Sequence, residues 1–468
     1  MTDSAVAESC RLTVRAPSVT IDLAVPADVP VADLLPTLLR YVGEEAEEAG
    51  LDHAGWVLQR LGDAPLDEET TLAQAGLADG AVLHLRPHTE ALPEARLDDL
   101  VDGIAETVGR RLHTWHAGAA RGLLVGTAVA TVVAALVLVF WPGVARSTGI
   151  RAACAAVAGV LLLAGAGSAS RAVGDRLSAT ALGLLVAPCF ALVGWVLPGG
   201  DLTGPDAAQV AGARLLAAGA AAAGGAVLAL AATAVGAPAL LATAVVAVAA
   251  ALSGALMGYT GLDVPAAVAL VATVVALAAG AVAPFAFKLA GMRMPSLPSS
   301  AGQLQEGIDP YAGDEVAERT ELAGRWVTAL FAATGAVVAA ALAVLAHTPD
   351  LPETLTGLAL SLLLLLHSRG LVHIGQRLTL AVPGILGLLL FARAWAVHSD
   401  ADGRVVVFAV LLAAAAALVT ASWIVPGRRV LPYWGRAAEL AHTGLAVALL
   451  PFALWVAGLF GWLRGLFG

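Results

Sequence analysis

The sequence predicts a multi-pass α-helical membrane protein, with about eleven transmembrane helices, that carries a small N-terminal α/β domain. Three observations lead there. Of 468 residues, 59% are hydrophobic and only 13% are charged, with a mean hydropathy of +0.83. A soluble domain is about 25% charged, so a chain this long lacks the polar surface to cover several soluble domains. The charge is also uneven: residues 1–121 hold 21 acidic and 9 basic side chains, against 15 and 17 in the rest. An acidic head is thus joined to a nearly neutral, very apolar body. Finally, that body is a succession of apolar runs near the roughly 20 residues that cross a hydrocarbon core.

The head occupies residues 1–89. In residues 11–25, Leu12 and Val14, then Val19, Ile21, Leu23 and Val25, alternate with polar residues around a break at Ala16-Pro17-Ser18, the pattern of a β-hairpin. Asp28 and Pro30 then open a stretch with Val31, Leu34, Leu35, Leu38, Leu39 and Val42 at helical spacing, closed by Glu44-Glu45 and Glu47-Glu48. Short strands are expected at Trp56-Val57-Leu58 and, after the turn Asp79-Gly80, at residues 81–85. This ββαβ…β order resembles a ubiquitin-like β-grasp domain. The chain runs on past Arg86 without a free Gly-Gly end, so conjugation is not expected, and docking through a sheet face or edge strand is.

Residues 90–121 read as an amphipathic juxtamembrane linker helix. Leu97, Leu100, Val101, Ile104, Val108, Leu112 and Trp115 line one face, with Asp98, Asp99, Asp102, Glu106, Arg110 and Arg111 mostly opposite. The stripe fits packing on the protein's own head. The rival reading is rest on lipid or on a partner's helix, with Arg110, Arg111 and Arg121 toward anionic headgroups.

Residues 122–468 form the expected eleven-helix transmembrane domain. The candidate spans are 122–141, 150–169, 177–197, 208–235, 238–258, 263–287, 324–346, 352–367, 378–397, 404–424 and 440–463. The break Gly236-Ala237-Pro238 divides the long run after 208, and span 352–367 has the shortest apolar centre. With the head placed in the cytosol, fourteen Lys or Arg fall inside and five outside. Loops 198–207, 259–262 and 347–351 carry none. The positive-inside bias therefore puts the N-terminus in the cytosol and, with an odd number of spans, the C-terminus on the periplasmic side. Gly212, Gly219, Gly224 and Gly225 mark the fourth span for close helix approach, within the chain or across a dimer.

Chemistry is sparse. Long stretches, among them Leu215–Gly258, Val264–Phe287 and Val327–Ala346, contain no Asp, Glu, Lys, Arg or His. A proton-driven machine needs such groups at mid-bilayer. Lys288 is the only lysine and follows Phe287, so there is no Walker A sequence. His113 and His116, His367 and His373, or Glu439 and His442 do not make a metal-ligand set. Cys10, Cys154 and Cys189 suggest neither a disulfide framework nor a thiolate site. No catalytic residue, cofactor, metal or nucleic-acid partner is expected, and no cleavable signal peptide is visible in the first twenty residues. Arg214 and Arg393 read as snorkelling side chains, and Asp201, Asp206 and Asp263 as helix caps. Trp141, Trp195, Trp326, Trp434 and Trp462 read as interfacial anchors. Two loops stand out. One is the cytosolic loop 288–323, basic and proline-punctuated and then acidic, with a helical pattern at residues 315–322. The other is 426–439, with Arg428, Arg429, Trp434 and Arg436, whose arginines serve topology alone or a docking site.

Three separated stretches resemble one family. Residues 11–15 and 26–36, with 79–85, resemble the ubiquitin-like N-terminus of EccD. Arg293-Met294-Pro295-Ser296-Leu297-Pro298 is similar to that family's proline-rich stretch after the sixth span. Residues 428–436 (RRVLPYWGR) are similar to its loop before the last span. The arginine-over-lysine bias, with abundant Ala, Gly and Val, agrees with an actinobacterial, GC-rich origin. The resemblance implies a non-enzymatic membrane scaffold of a type VII (ESX) secretion system. It also implies a homodimer enclosing membrane lipids in the bacterial inner membrane. The partners implied are EccB, the ATPase EccC and EccE, with the ubiquitin-like head docking EccC. On that basis Leu100, Ile104, Val108, Leu112 and Trp115, with Arg428, Arg429, Trp434 and Arg436, are the expected partner-docking residues. The residue pattern by itself also admits a secondary transporter with a regulatory head, or an integral-membrane transferase.

Overall fold

The computed structural model describes residues 9–17, 19–42, 55–77, 80–88, 117–141, 147–292, 313–347, 350–424 and 432–467. The chain divides into two compact units, Met1–His116 and Ala117–Gly468. The first is built on a four-stranded mixed sheet, β1 (Ser9–Arg15), β2 (Thr20–Pro26), β3 (Trp56–Gln59) and β4 (Ala81–Pro87), in the order β2-β1-β4-β3. The helix α1 (Val31–Val42) follows β2. Strand β1 pairs antiparallel with β2, Leu12 opposite Leu23, and parallel with β4, Val14 opposite Leu83. Period-two alternation sends Leu12, Val14, Leu83 and Leu85 to one face, where they are buried with Val31, Leu38, Leu58 and Leu72. The hairpin, the helix and the last strand thus stand where the alternation and stripe predict them. This is the ubiquitin-like arrangement.

Among its described residues the second unit has eleven helices long and apolar enough to cross a membrane. Its helices are α2 (Ala117–Phe140), α3 (Thr148–Ser168, prolonged by a π-helical turn to Val173), α4 (Arg176–Val196), α5 (Ala207–Thr233) and α6 (Ala237–Thr260). They continue as α7 (Val264–Ala278), α8 (Val282–Leu289), α9 (Gly313–Leu345), α10 (Leu351–Ser368) and α11 (Ile374–His398). The last are α12 (Ala401–Ile424), α13 (Pro432–Val456) and α14 (Leu459–Phe467). A 3₁₀ turn joins α7 and α8 into one span.

Two boundaries differ from the sequence expectation. The helical pattern at residues 315–322 is not a separate piece: it is the first part of the 33-residue α9, held by Glu315–Arg319 and Glu321–Arg325 pairs at i,i+4. The last span is not 440–463 but Tyr433–Val456. Pro432 supplies the fixed φ that opens a helix, and Gly458, at φ 75°, turns the chain before α14. Residues 432–439 are therefore helix, not loop. Span α10, the shortest, holds its place because Leu360, Leu363 and Leu364 are buried against α7, α9, α11 and α13.

Packing depends on small residues. A Cβ at Gly212 would lie 2.8 Å from Met257 Cβ, and one at Gly219 would strike the Ala251 amide of α6. Gly254 of α6 faces Leu216 N in the same way, and Gly194 of α4 faces Ala217 O. Gly225 faces the Phe190 ring, whereas Gly224 faces open space. The turn from α5 to α6 uses left-handed Ala234 (φ 53°) and Gly236 (φ 68°). Ser170 Oγ donates to Thr233 O at 2.5 Å, and Arg171 donates to Ala232 O and Ala231 O at 2.9 and 3.0 Å. These bonds satisfy carbonyls that the end of α5 leaves without partners. A second core joins α7, α9, α10, α11 and α13 around Phe331, Leu342, Leu345, Leu380 and Leu449. Helix α2 has no buried residue in the single chain, and α12 has only Val407.

Candidate docking surface

The expected docking residues divide by where they fall. Leu100, Ile104, Val108, Leu112 and Trp115, with Arg428 and Arg429, lie outside the described residues, as do Arg293–Pro298. Trp434 and Arg436 are on the first turns of α13. Pro432 starts that helix, and the next two residues present exposed aromatic rings, Tyr433 at 80% and Trp434 at 67%. Arg436, also exposed, lines a recess of about 480 Å³ with Gly435, Glu439, Leu440 and Thr443. Two exposed aromatic rings, a guanidinium and a carboxylate thus stand together at one helix end.

This helix end is tied to its neighbour. His367 Nδ1 of α10 and His442 Nε2 of α13 stand 3.3 Å apart, so one imidazole donates and the other accepts. The Phe331 ring of α9 meets His367 edge-on at 5.4 Å. Arg369 Nη2 donates to Gly435 O at 3.4 Å, beside Trp434 and Arg436. The sequence shows both histidines but not their pairing, since 75 residues separate them. The signal available was their common place at span ends on the arginine-rich side.

Other flagged residues have local roles. Asp175 caps α4 by accepting from Ser178 N at 3.1 Å and pairs with Arg121 Nη2 at 2.6 Å. Arg121 is therefore committed to a carboxylate rather than directed at headgroups. The Ser178 bonds, and then the Arg121 guanidinium, hold the Asp175 carboxyl well below the usual range. Arg214 donates to Gly199 O and Gly200 O at 2.8 and 2.5 Å. Asp263 caps α7 through Ala266 N at 3.0 Å. Asp201 accepts from the amide and hydroxyl of Thr203, which lowers its carboxyl below the ordinary value. Asp206 stands at the N-cap of α5 without a side-chain bond. Trp326 is 8% exposed, packed with Ala286, Ala290 and Ala323, so it is core rather than anchor. Among the described residues no group of three His, Cys, Asp or Glu is placed to hold a metal ion.

The head carries its own surface. Opposite its core face the sheet places Arg11, Thr13 and Arg15 of β1 beside Val82, His84 and Arg86 of β4, and Thr13 Oγ1 donates to Asp22 Oδ1 at 2.6 Å. A domain that is acidic in composition thus gathers three arginines on one sheet face.

Comparison with known proteins gives two family matches. Residues 120–466 match the EccD-like transmembrane domain, and residues 9–85 match YukD of the WXG100 protein secretion system (Wss). Over 95 residues the chain is 39% identical to the ESX-4 secretion system protein eccD4 of Mycobacterium tuberculosis, in strains CDC 1551 / Oshkosh and ATCC 25618 / H37Rv. That stretch is 20% of this chain, and it spans only 20% of those relatives. A chain in the structure of protomer 1 of the ESX-3 core complex shares the fold at a TM-score of 0.55 and 18% identity, over 97% of this chain and 99% of that one. A chain of the MycP5-free ESX-5 inner membrane complex, State II, does so at 0.58 and 22%, over 88% and 99%.

Proposed function

The chain belongs to the EccD family, and from that premise we propose that it is a non-enzymatic membrane scaffold of a type VII (ESX) protein secretion complex. The observation that carries this reading is continuity. One chain joins a YukD-like head, residues 9–85, to an EccD-like body, residues 120–466, that is built as eleven apolar spans. In this reading residues 1–89 are the cytosolic ubiquitin-like domain, 90–121 the linker helix, and 122–468 the transmembrane domain. The N-terminus is cytosolic, and the C-terminus lies beyond the bacterial inner membrane. Two copies pair as a homodimer around membrane lipid, with EccB, EccC and EccE as partners. Helices α2 and α12 support pairing, because each leaves an apolar surface without a protein partner in the single chain.

The ATPase EccC docks through the head and linker stripe, and Trp434 with Arg436 offers the transmembrane unit a docking surface of its own. The arginine-bearing sheet face supports a partner surface of opposite sign. The decisive experiment is purification of the tagged full chain in mild detergent, with mass spectrometry of what accompanies it. EccB, EccC and EccE in stable ratio are expected. Charged substitutions at Leu100, Ile104, Val108, Leu112 or Trp115 should lower EccC recovery while the spans stay folded, and so should Trp434→Ala with Arg436→Glu. Recovery of the chain alone from its native membrane, together with substrate-dependent flux in proteoliposomes, would replace the scaffold with the transporter.

A further inference from the structure

We propose that the groove between α6 and α9 is a binding site for one anionic glycerophospholipid, its phosphate held by Arg176 and Arg325 and its acyl chains lying on the apolar floor. The groove holds about 1510 Å³, more than the roughly 300–1,000 Å³ of small-molecule sites. Its floor is apolar, with Pro238, Ala242, Val246, Ala329 and Ala333. Three of the hydroxyls along it are satisfied by their own helices: Thr180 donates to Arg176 O, Thr243 to Ala239 O and Thr328 to Gly324 O, at 2.8 to 2.9 Å. The walls therefore present mostly hydrocarbon to an occupant.

The rim has the opposite character. It gathers Arg176 at the start of α4, Arg325 of α9 and His373 before α11. One acidic group, Glu321, joins them and is paired with Arg325 at 2.5 Å. Arg176 has no ion pair among the described residues, so the rim keeps an uncompensated positive charge. The first turns of α6 and α11 also open on the groove without side-chain caps, Gly236 and His373 standing at the cap positions. The N-terminal ends of these two helix dipoles add to the positive potential. Arg176, Arg325 and His373 belong to the same end of the bundle as Arg171, Arg369 and Arg377, the arginine-rich side that faces anionic headgroups. A cationic rim over an apolar floor, in a groove larger than a drug-sized ligand needs, matches a diacyl lipid with a phosphodiester. A free phosphate would use only the rim, and a zwitterionic lipid would leave the excess charge unmet.

The test uses the full chain in detergent micelles, titrated with fluorescent phosphatidylglycerol and with phosphatidylcholine of the same chains. Preference for phosphatidylglycerol is expected, with inorganic phosphate failing to displace it. Arg176→Gln and Arg325→Gln should each weaken that lipid about fivefold, the effect of one surface guanidinium near a membrane. The Lys variants at both positions should keep the preference, and the control Arg393→Gln should bind as wild type. Ala329→Phe, which fills the floor without touching charge, should weaken both lipids. Equal binding of the two lipids by wild type, or an unchanged preference in the Gln variants, overturns the proposal. So does a crosslink showing residues 293–312 seated in the groove while lipid is present.

Discussion

Arg121 and Asp175 show how much a single ion pair is asked to do at a span end. Asp175 both caps α4 and receives Arg121, which is one of the few ties between α2 and the rest of the body. Asparagine caps nearly as well as aspartate but carries no charge, so Asp175→Asn separates the two roles. Thermal melts in detergent should rank wild type above Asp175→Asn, and Asp175→Ala below both. Arg121→Gln should match Asp175→Asn, and the double variant should fall no further, because the pair is a single interaction. The pH dependence follows from the sign of the shift. A carboxyl depressed in the folded state contributes fully above its unfolded value, about 3.9, and loses that contribution only as pH falls below it toward the folded value. Melts from pH 8 to pH 5 should therefore leave the difference between wild type and Asp175→Asn unchanged, and acidification below about 4 should narrow it. At this scale the sequence was partly legible. The acidic cap of α7 could be read from Asp263 and Pro265, since capping is local. The Arg121–Asp175 and His367–His442 pairs could not, because only tertiary packing brings such partners together.

Helix α5 carries four glycines that look equivalent in sequence and are not. Gly219 lets the α6 backbone approach so closely that a methyl would strike the Ala251 amide, and Gly212 does the same beside Met257. Gly224, next to Gly225, faces nothing within 4 Å. Backbone cannot move aside as a flexible side chain can, so Gly219→Val should destabilise the body by at least the roughly 1–3 kcal/mol typical of overpacking. Gly224→Val should be close to neutral. The midpoint of chemical unfolding in detergent, compared for the two variants, checks the contrast. Close packing of the fourth span was readable from composition, whereas which glycine touches what was not, because that depends on helix rotation. Span number and type were legible throughout, since apolar runs of this length have few alternatives. Boundaries were less so where a polar helix enters the membrane. The first turns of α9 and α13 carry Glu, Arg and Trp, which read as loop by hydropathy yet are helical by pairing and by Pro432.

The transmembrane unit concentrates its arginines at one end of the spans, and that asymmetry makes its orientation testable. Alternation of eleven spans puts Arg171, Arg176, Arg325, Arg369, Arg377 and Arg436 on one side, and the loop that Arg214 secures at Gly199 and Gly200 on the other. The potential and the translocation machinery both retain arginine on the cytosolic side. The chain has three cysteines, of which Cys10 and Cys189 are buried and Cys154 is exposed within α3. Cys154→Ala therefore gives a quiet background for labelling. On it, Thr203→Cys should react with a membrane-impermeant maleimide added outside intact cells, because Thr203 stands in the exposed turn that Asp201 shapes. His373→Cys, exposed at the arginine-rich end, should react only after permeabilisation. The reverse result would put the head and the aromatic start of α13 across the membrane from a cytosolic ATPase, and the docking assignment could not stand. The outcome also bears on the groove, since a cytosolic rim meets the leaflet whose anionic lipids attract arginine. One labelling experiment thus constrains the scaffold reading and the lipid site together, while the lipid titration alone separates them.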